Sequence, residues 1–154
     1  QIMRSFNAGI ISPGNCIKNL QIITNPPNDI VAKGNLGKGW HGIETWDGTS
    51  TRWMNNDSLI TIYSPENRTA TLSLNALSFY RNRTLEISCN GVHLARVAVP
   101  TGFVNVSMPI HLAKGENTIR LHVPEGCERP RDIKELENSD SRCLSIAMQN
   151  VTVT

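Results

Sequence analysis

The sequence predicts an all-β fold, a two-sheet antiparallel β-sandwich formed by one domain over residues 1–154. Three observations carry it. From residue 58 onward apolar and polar residues alternate with period two; turn signals recur roughly every ten residues; and helical periodicity is nearly absent.

The firmest element is RTLEISC followed by Asn90-Gly91 and VHLARVAV. Leu85, Ile87 and Cys89 fall on one face, and Asn-Gly is the pair that best tolerates the two positive φ angles of a tight hairpin. Before it, ATLSLNA sets Ala70, Leu72, Leu74 and Ala76 against Thr71, Ser73 and Asn75. After it, FVNVSMPI sets Val104, Val106, Met108 and Ile110 against Phe103, Asn105 and Ser107, with Asn105 facing solvent. Beyond the turn Ala113-Lys114-Gly115-Glu116, NTIRLHV buries Ile119, Leu121 and Val123. The last strand begins with Leu144, Ile146 and Met148, then changes phase to Val151 and Val153, which predicts a β-bulge near Gln149-Asn150. Between these strands, RDIKELENS has room for a helical turn or two within a loop from Pro124 to Ser141. The first 57 residues are less regular: LQIIT and DIVA read as short strands, Asn25-Pro26-Pro27-Asn28 as a turn, and Trp40–Thr45 and Thr51–Met54 as strands.

Composition narrows compartment and partners. Fifteen basic against 13 acidic residues give a net charge of +2 with no basic run, which argues against nucleic acid. No stretch reaches the roughly 18 apolar residues of a membrane span, and the opening QIMRSFNAGI lacks a signal-peptide layout; a start at Gln1 reads as a fragment of a larger protein. The four cysteines, Cys16, Cys89, Cys127 and Cys143, show no C-x-x-C spacing, which disfavours zinc. Cys127 and Cys143 bracket the long loop, and closing about 15 residues contributes on the order of 3 kcal/mol by constraining the unfolded chain. That pair is expected, leaving Cys16 with Cys89, although three connectivities are formally open. Sequons at Asn56, Asn67, Asn82, Asn105 and Asn150 are candidate glycosylation sites. With the even cysteine count they point to an extracellular or outward-facing location.

Chemistry concentrates in residues 39–54, GWHGIETWDGTSTRWM, which hold all three tryptophans. Indole faces with a polar N–H suit sugars, which present C–H faces and hydroxyls, and Arg52 and Glu44 could supply donor fork and acceptor. Trp40, His41, Glu44, Trp46, Arg52 and Trp53 are therefore the candidate ligand contacts, against the competing reading that such tryptophans plug the core. Asp47 and Asp57, near Asn55 and Asn56, are oxygen donors of the kind a structural calcium collects, although the same residues suit a solvated turn. No other cofactor is suggested. Asp140 and Arg142, two apart before the final strand, could pair with Glu44 or Arg52 and lock loop to sheet. No nucleophile with its base, metal triad or phosphate loop is present, and Glu44 with Asp47 is only a minority glycosidase pair; the domain reads as no enzyme.

Trp40, Glu44 and Arg52-Trp53, then Gly115-x-Asn117-x-Ile119, then Asp140-x-Arg142-x-Leu144-Ser145 form a pattern across residues 39–153. It resembles the jelly-roll, galactose-binding-like and carbohydrate-binding-module-like domains outside the membrane in prokaryotic, particularly archaeal, multispanning glycosyltransferase-like proteins. The resemblance implies an accessory domain beside a membrane-embedded catalytic parent. Such a domain binds or positions glycan, its partner being that glycan or the parent membrane protein. The alternative is a structural or interaction cap that binds no sugar.

Overall fold

A computed structural model describes residues 29–31 and 34–154. Among the described residues ten strands form two antiparallel five-stranded sheets. The strands are β1 Asn35–Leu36, β2 Glu44–Trp46, β3 Thr49–Met54, β4 Asp57–Ser64, β5 Arg68–Ser78, β6 Arg83–Cys89, β7 Val92–Val99, β8 Val104–Leu112, β9 Gly115–His122 and β10 Ile146–Val153. One sheet runs β1-β4-β9-β6-β7 and the other β2-β3-β10-β5-β8. The predicted β-sandwich is the observed fold.

Period-two alternation determines which residues lie between the sheets. Ile60 and Ile62, Leu85 and Ile87, and Ile119 and Leu121 from the first sheet meet Met54, Leu72, Leu74, Ile146 and Met148 from the second, all nearly inaccessible to solvent. Asn90 (φ 52°) and Gly91 (φ 83°) make the expected two-residue turn between β6 and β7. The phase change in β10 is a register shift between Gln149 and Thr152 against β5, with Asn150 at φ 52°. A second shift, between Ile87 and Ser88 on β6, sets Ala95 and His93 as consecutive partners and leaves Leu94 as the extra residue on β7.

The expected extended run from Trp40 to Thr45 is mostly irregular. Trp40 makes an isolated bridge to Met54, and a strand begins only at Glu44. Its hairpin with β3 turns on Asp47 (φ 49°) and Gly48 (φ 82°). DIVA is no strand among the described residues: Ile30 is buried and Val31 forms a single parallel bridge to Val151. LQIIT and Asn25-Pro26-Pro27-Asn28 lie outside the described residues. The loop after β9 contains two short 3-10 turns, Pro130–Asp132 and Lys134–Leu136. It is tied down by the Cys127–Cys143 disulfide and by Glu128, whose carboxylate accepts from Arg81 and from the buried Arg83. Cys89 is a free, buried thiol, and burial pushes its pKa up; its expected partner Cys16 lies outside the described residues.

Candidate functional site: the outer face of the second sheet

Residues paired across an antiparallel ladder share a face, so the register defines the outer surface of the second sheet. With Met54, Ile146 and Ala76 inward, the flanking row Trp53, Ala147 and Leu77 points outward. Trp53, Ala147 and Leu144 form a second, smaller hydrophobic cluster there, against which Trp46, Leu77 and Phe79 pack. The Asp47-Gly48 turn brings Trp46 back over this row. Its ring meets Trp53 edge-on at 5.6 Å and Phe103 at 6.1 Å, while Trp53 meets Phe79 at 5.8 Å. Ala147 is the small residue in this cluster of rings. Trp46 is half-buried and Phe103 is 42% exposed, so the aromatic group keeps a solvent-facing rim.

Alongside lies a polar floor. The next outward row is Glu44, Thr51, Gln149, Asn75 and Asn105, one residue from each strand in sheet order. Gln149 Nε2 donates to Thr51 Oγ1 (2.9 Å), and Asn105 Nδ2 donates to Asn75 Oδ1 (3.0 Å). Beyond it come Thr152, Ser73 and Ser107. These amide and hydroxyl groups sit beside aromatic rims, and the array offers both apolar faces and hydrogen-bonding groups on one surface.

Glu44 anchors the edge. One carboxylate oxygen accepts from Trp46 Nε1 (3.0 Å) and the other from Arg142 Nη1 (2.8 Å). Arg142 also forks onto Asp140, with its Nη2 at 2.7 Å from Oδ2. Hydrogen bonding from Arg142 holds the Asp140 carboxyl below its usual range, and Asp140, through the same bonds, raises the Arg142 pKa. The predicted lock of loop to sheet is thus formed by Arg142 and Glu44, with Asp140 as a second carboxylate.

The structure engages Trp40, Arg52 and His41 elsewhere than on this face. Trp40 packs against the core and its Nε1 donates to the Leu59 carbonyl (3.0 Å). Arg52 Nε and Nη2 fork onto the fully buried Asp29 carboxylate (2.8 and 2.6 Å), and Nη1 donates to the His41 carbonyl (2.9 Å). The ring Nε2 of His41 is 2.8 Å from the Cys143 carbonyl. Asp57 is not in a loop beside Asp47: it opens β4, and both its oxygens accept from Arg120 (2.9 and 2.8 Å). Asp47 stands on the β2–β3 turn, and no group of three His, Cys, Asp or Glu gathers among the described residues. Sequence reasoning missed Phe103, Asn75 and Gln149. Their signal was the alternation itself, which sets Asn75 and Asn105 on the polar sides of two strands.

No family model and no curated protein matches the chain. Among solved structures it is similar to a family 4 carbohydrate-binding module, at 12% identity with 86% of this chain and 92% of that one covered and a TM-score of 0.50. It is also similar to a family 35 carbohydrate-binding module from an environmental isolate (16% identity, 77% and 85% covered, TM-score 0.49). A third is the family 35 module from Cellvibrio japonicus (16% identity, 79% and 96% covered, TM-score 0.45). At such identities the first likeness establishes the fold: a jelly-roll β-sandwich of the type found in carbohydrate-binding modules.

Proposed function

We propose that this chain is a non-catalytic glycan-binding domain that engages sugar on the outer face of its second sheet. The observation that carries the reading is the solvent-facing rim of Trp46 and Phe103 beside the floor of Gln149, Asn75 and Asn105. Sugar C–H faces stack on aromatic rings, while ring hydroxyls need the paired donors and acceptors that side-chain amides provide. The charged groups at this edge, Glu44, Asp140 and Arg142, are paired with one another, which suits a neutral sugar better than an acidic one. Asp57 is engaged by Arg120 and is not a free calcium donor in this reading.

The same reading places the domain outside the cell as an accessory part of a larger membrane or surface protein. The disulfide and the sequons support an oxidising, outward-facing compartment. The test is a glycan array probed with the wild type and with Trp46→Ala and Gln149→Ala. Because Trp46 belongs to the satellite cluster and not the main core, Trp46→Ala should cost only about 1–2 kcal/mol of stability. It should nevertheless abolish binding. Absence of binding by the folded, unglycosylated wild type to any arrayed glycan would shift the reading to the structural cap.

A further inference from the structure

Two of the five sequons lie on strands of the second sheet: Asn150 at the bulge between Gln149 and Thr152, and Asn105 in the polar row of the candidate face. Asn105 is on β8 with its amide on the solvent side, and Ser107, which completes its sequon, is exposed as well. By contrast, the serine of the Asn56 sequon, Ser58, is fully buried and its hydroxyl points to the Met54 sulfur. The Asn67 Oδ1 is engaged by the Lys114 amide (2.7 Å).

Two features single out Asn105. The first is Phe103, two residues earlier. Strand periodicity brings positions i and i−2 to the same face, and the exposed Phe103 ring reaches across that face to Trp46 at 6.1 Å. A sugar attached to Asn105 therefore has an aromatic surface beside it. The second is the bond from Asn105 Nδ2 to Asn75 Oδ1. A primary amide has two N–H groups and glycosylation consumes one, so the other can keep donating to Asn75 and hold the linkage in one orientation.

We propose that Asn105 carries an N-linked glycan whose first sugar stacks on Phe103 and covers the aromatic end of the sheet face. The donor is an oligosaccharide on a polyprenyl phosphate or pyrophosphate. The bond from sugar C1 to the phosphate oxygen breaks, with its electron pair leaving on phosphate, and the Nδ2–C1 bond forms as one Nδ2 proton is released. The domain then meets external glycan on this face only when Asn105 is bare. This last consequence rests on the proposed glycan-binding role; the modification itself rests only on export of the chain.

The experiment is glycopeptide mass mapping of the full chain secreted from a glycosylating host, together with Ser107→Ala and Phe103→Leu. Most copies of the Asn105 peptide should carry sugar mass, and none should in Ser107→Ala. The attached sugar should raise the melting temperature by about 2 °C over unglycosylated protein, and by less than half of that in Phe103→Leu. A bare Asn105 in the secreted protein overturns the proposal. So does a glycan whose stabilisation is unchanged in Phe103→Leu. On a glycan array, the glycosylated wild type should bind at least tenfold more weakly than the same chain from a non-glycosylating host, and equal binding would overturn the covering. If neither form binds, it is the glycan-binding role that fails, while mapping and melting still decide the modification.

Discussion

Asn117 is a polar side chain with no exposed surface, and its removal tests how the crossover from the second sheet to the first is held to the β6–β7 turn. Its Oδ1 accepts from the Ala113 amide and from Asn90 Nδ2, both at 2.8 Å, while its Nδ2 donates to the Ala113 carbonyl (2.9 Å) and the Gly115 carbonyl (3.1 Å). The side chain thus joins the β8–β9 turn to the β6–β7 turn. Asn117→Ala deletes these four bonds, worth about 1 kcal/mol each, and a longer, weaker one from Nδ2 to the Ile62 carbonyl (3.4 Å), but exposed Ala113 and Asn90 recover part of this by hydration. The net cost is about 3 kcal/mol, or a melting-temperature drop of roughly 6–12 °C for a domain this size. Thermal denaturation followed by far-UV circular dichroism reads the drop, and hydrogen exchange should show the Ala113 amide losing protection first. A fall under 2 °C, or unchanged protection at Ala113, would refute the role of Asn117 as a turn clamp.

Other consequences are local. Gly39 has φ +94°, and a Cβ there would lie 2.0 Å from the Asp57 carbonyl oxygen and 2.7 Å from the Ser58 Cα. Gly39→Ala should therefore displace the Lys38–Trp40 segment and cost about 3 kcal/mol or more, measured by urea denaturation. Acid should destabilise the fold through carboxylates held by arginines. Hydrogen bonding from Arg120 to Asp57, from Arg81 to Glu128 and from Arg142 to Asp140 lowers each carboxyl pKa below its ordinary value of 3.8 for Asp or 4.5 for Glu. Between the folded and ordinary values the unfolded chain binds more protons, so this stability is complete above about pH 5 and is lost as pH falls through the folded pKa values. A melting-temperature series from pH 7 to pH 3 should fall most steeply below pH 4.5, and Asp140→Asn should flatten that fall.

Much of the architecture was legible because period two translates directly into burial. Ala70 to Ala76, Leu85 to Cys89 and Ile119 to Val123 were all assigned to the inside from alternation alone, and the break between Met148 and Val151 marked a real bulge. The same logic applied to Leu94 and Val97, three apart on β7, would have revealed the second bulge. The Asp47-Gly48 turn carried the same two-residue signal as Asn90-Gly91 but lay in a segment with no clean alternation. The site was less legible because a tryptophan's side depends on partners distant in sequence. Trp40 faces the core because its N–H finds the Leu59 carbonyl, and Arg52 turns inward because a buried carboxylate, Asp29, awaits it there. Neither partner was considered from the sequence. Glu44 with Arg142 was one of the pairings anticipated, since Asp140 and Arg142, two apart, point to the same side and either could meet Glu44 or Arg52.

The position of Trp46 depends on the long loop more than on its own hairpin. β2 is only three residues long, with one neighbour at the sheet edge, so its backbone pairing with β3 is too short to fix a large side chain alone. The ring is placed by its N–H bond to Glu44, and Glu44 is in turn held by Arg142, adjacent to Cys143. The Cys143 carbonyl also receives the His41 ring nitrogen at the start of the same segment. The disulfide thus anchors both the loop and, through Arg142 and His41, the aromatic rim. Replacing Cys127 and Cys143 together by serine should cost about 3 kcal/mol through loop-closure entropy. At a temperature where the variant is still folded, it should also weaken the near-ultraviolet circular dichroism of the edge-on Trp46–Trp53 pair, which depends on their fixed mutual angle. Loss of stability with an unchanged Trp46–Trp53 signal would mean that Glu44 and the rings hold the rim without the loop. In that event the candidate face would be independent of redox state.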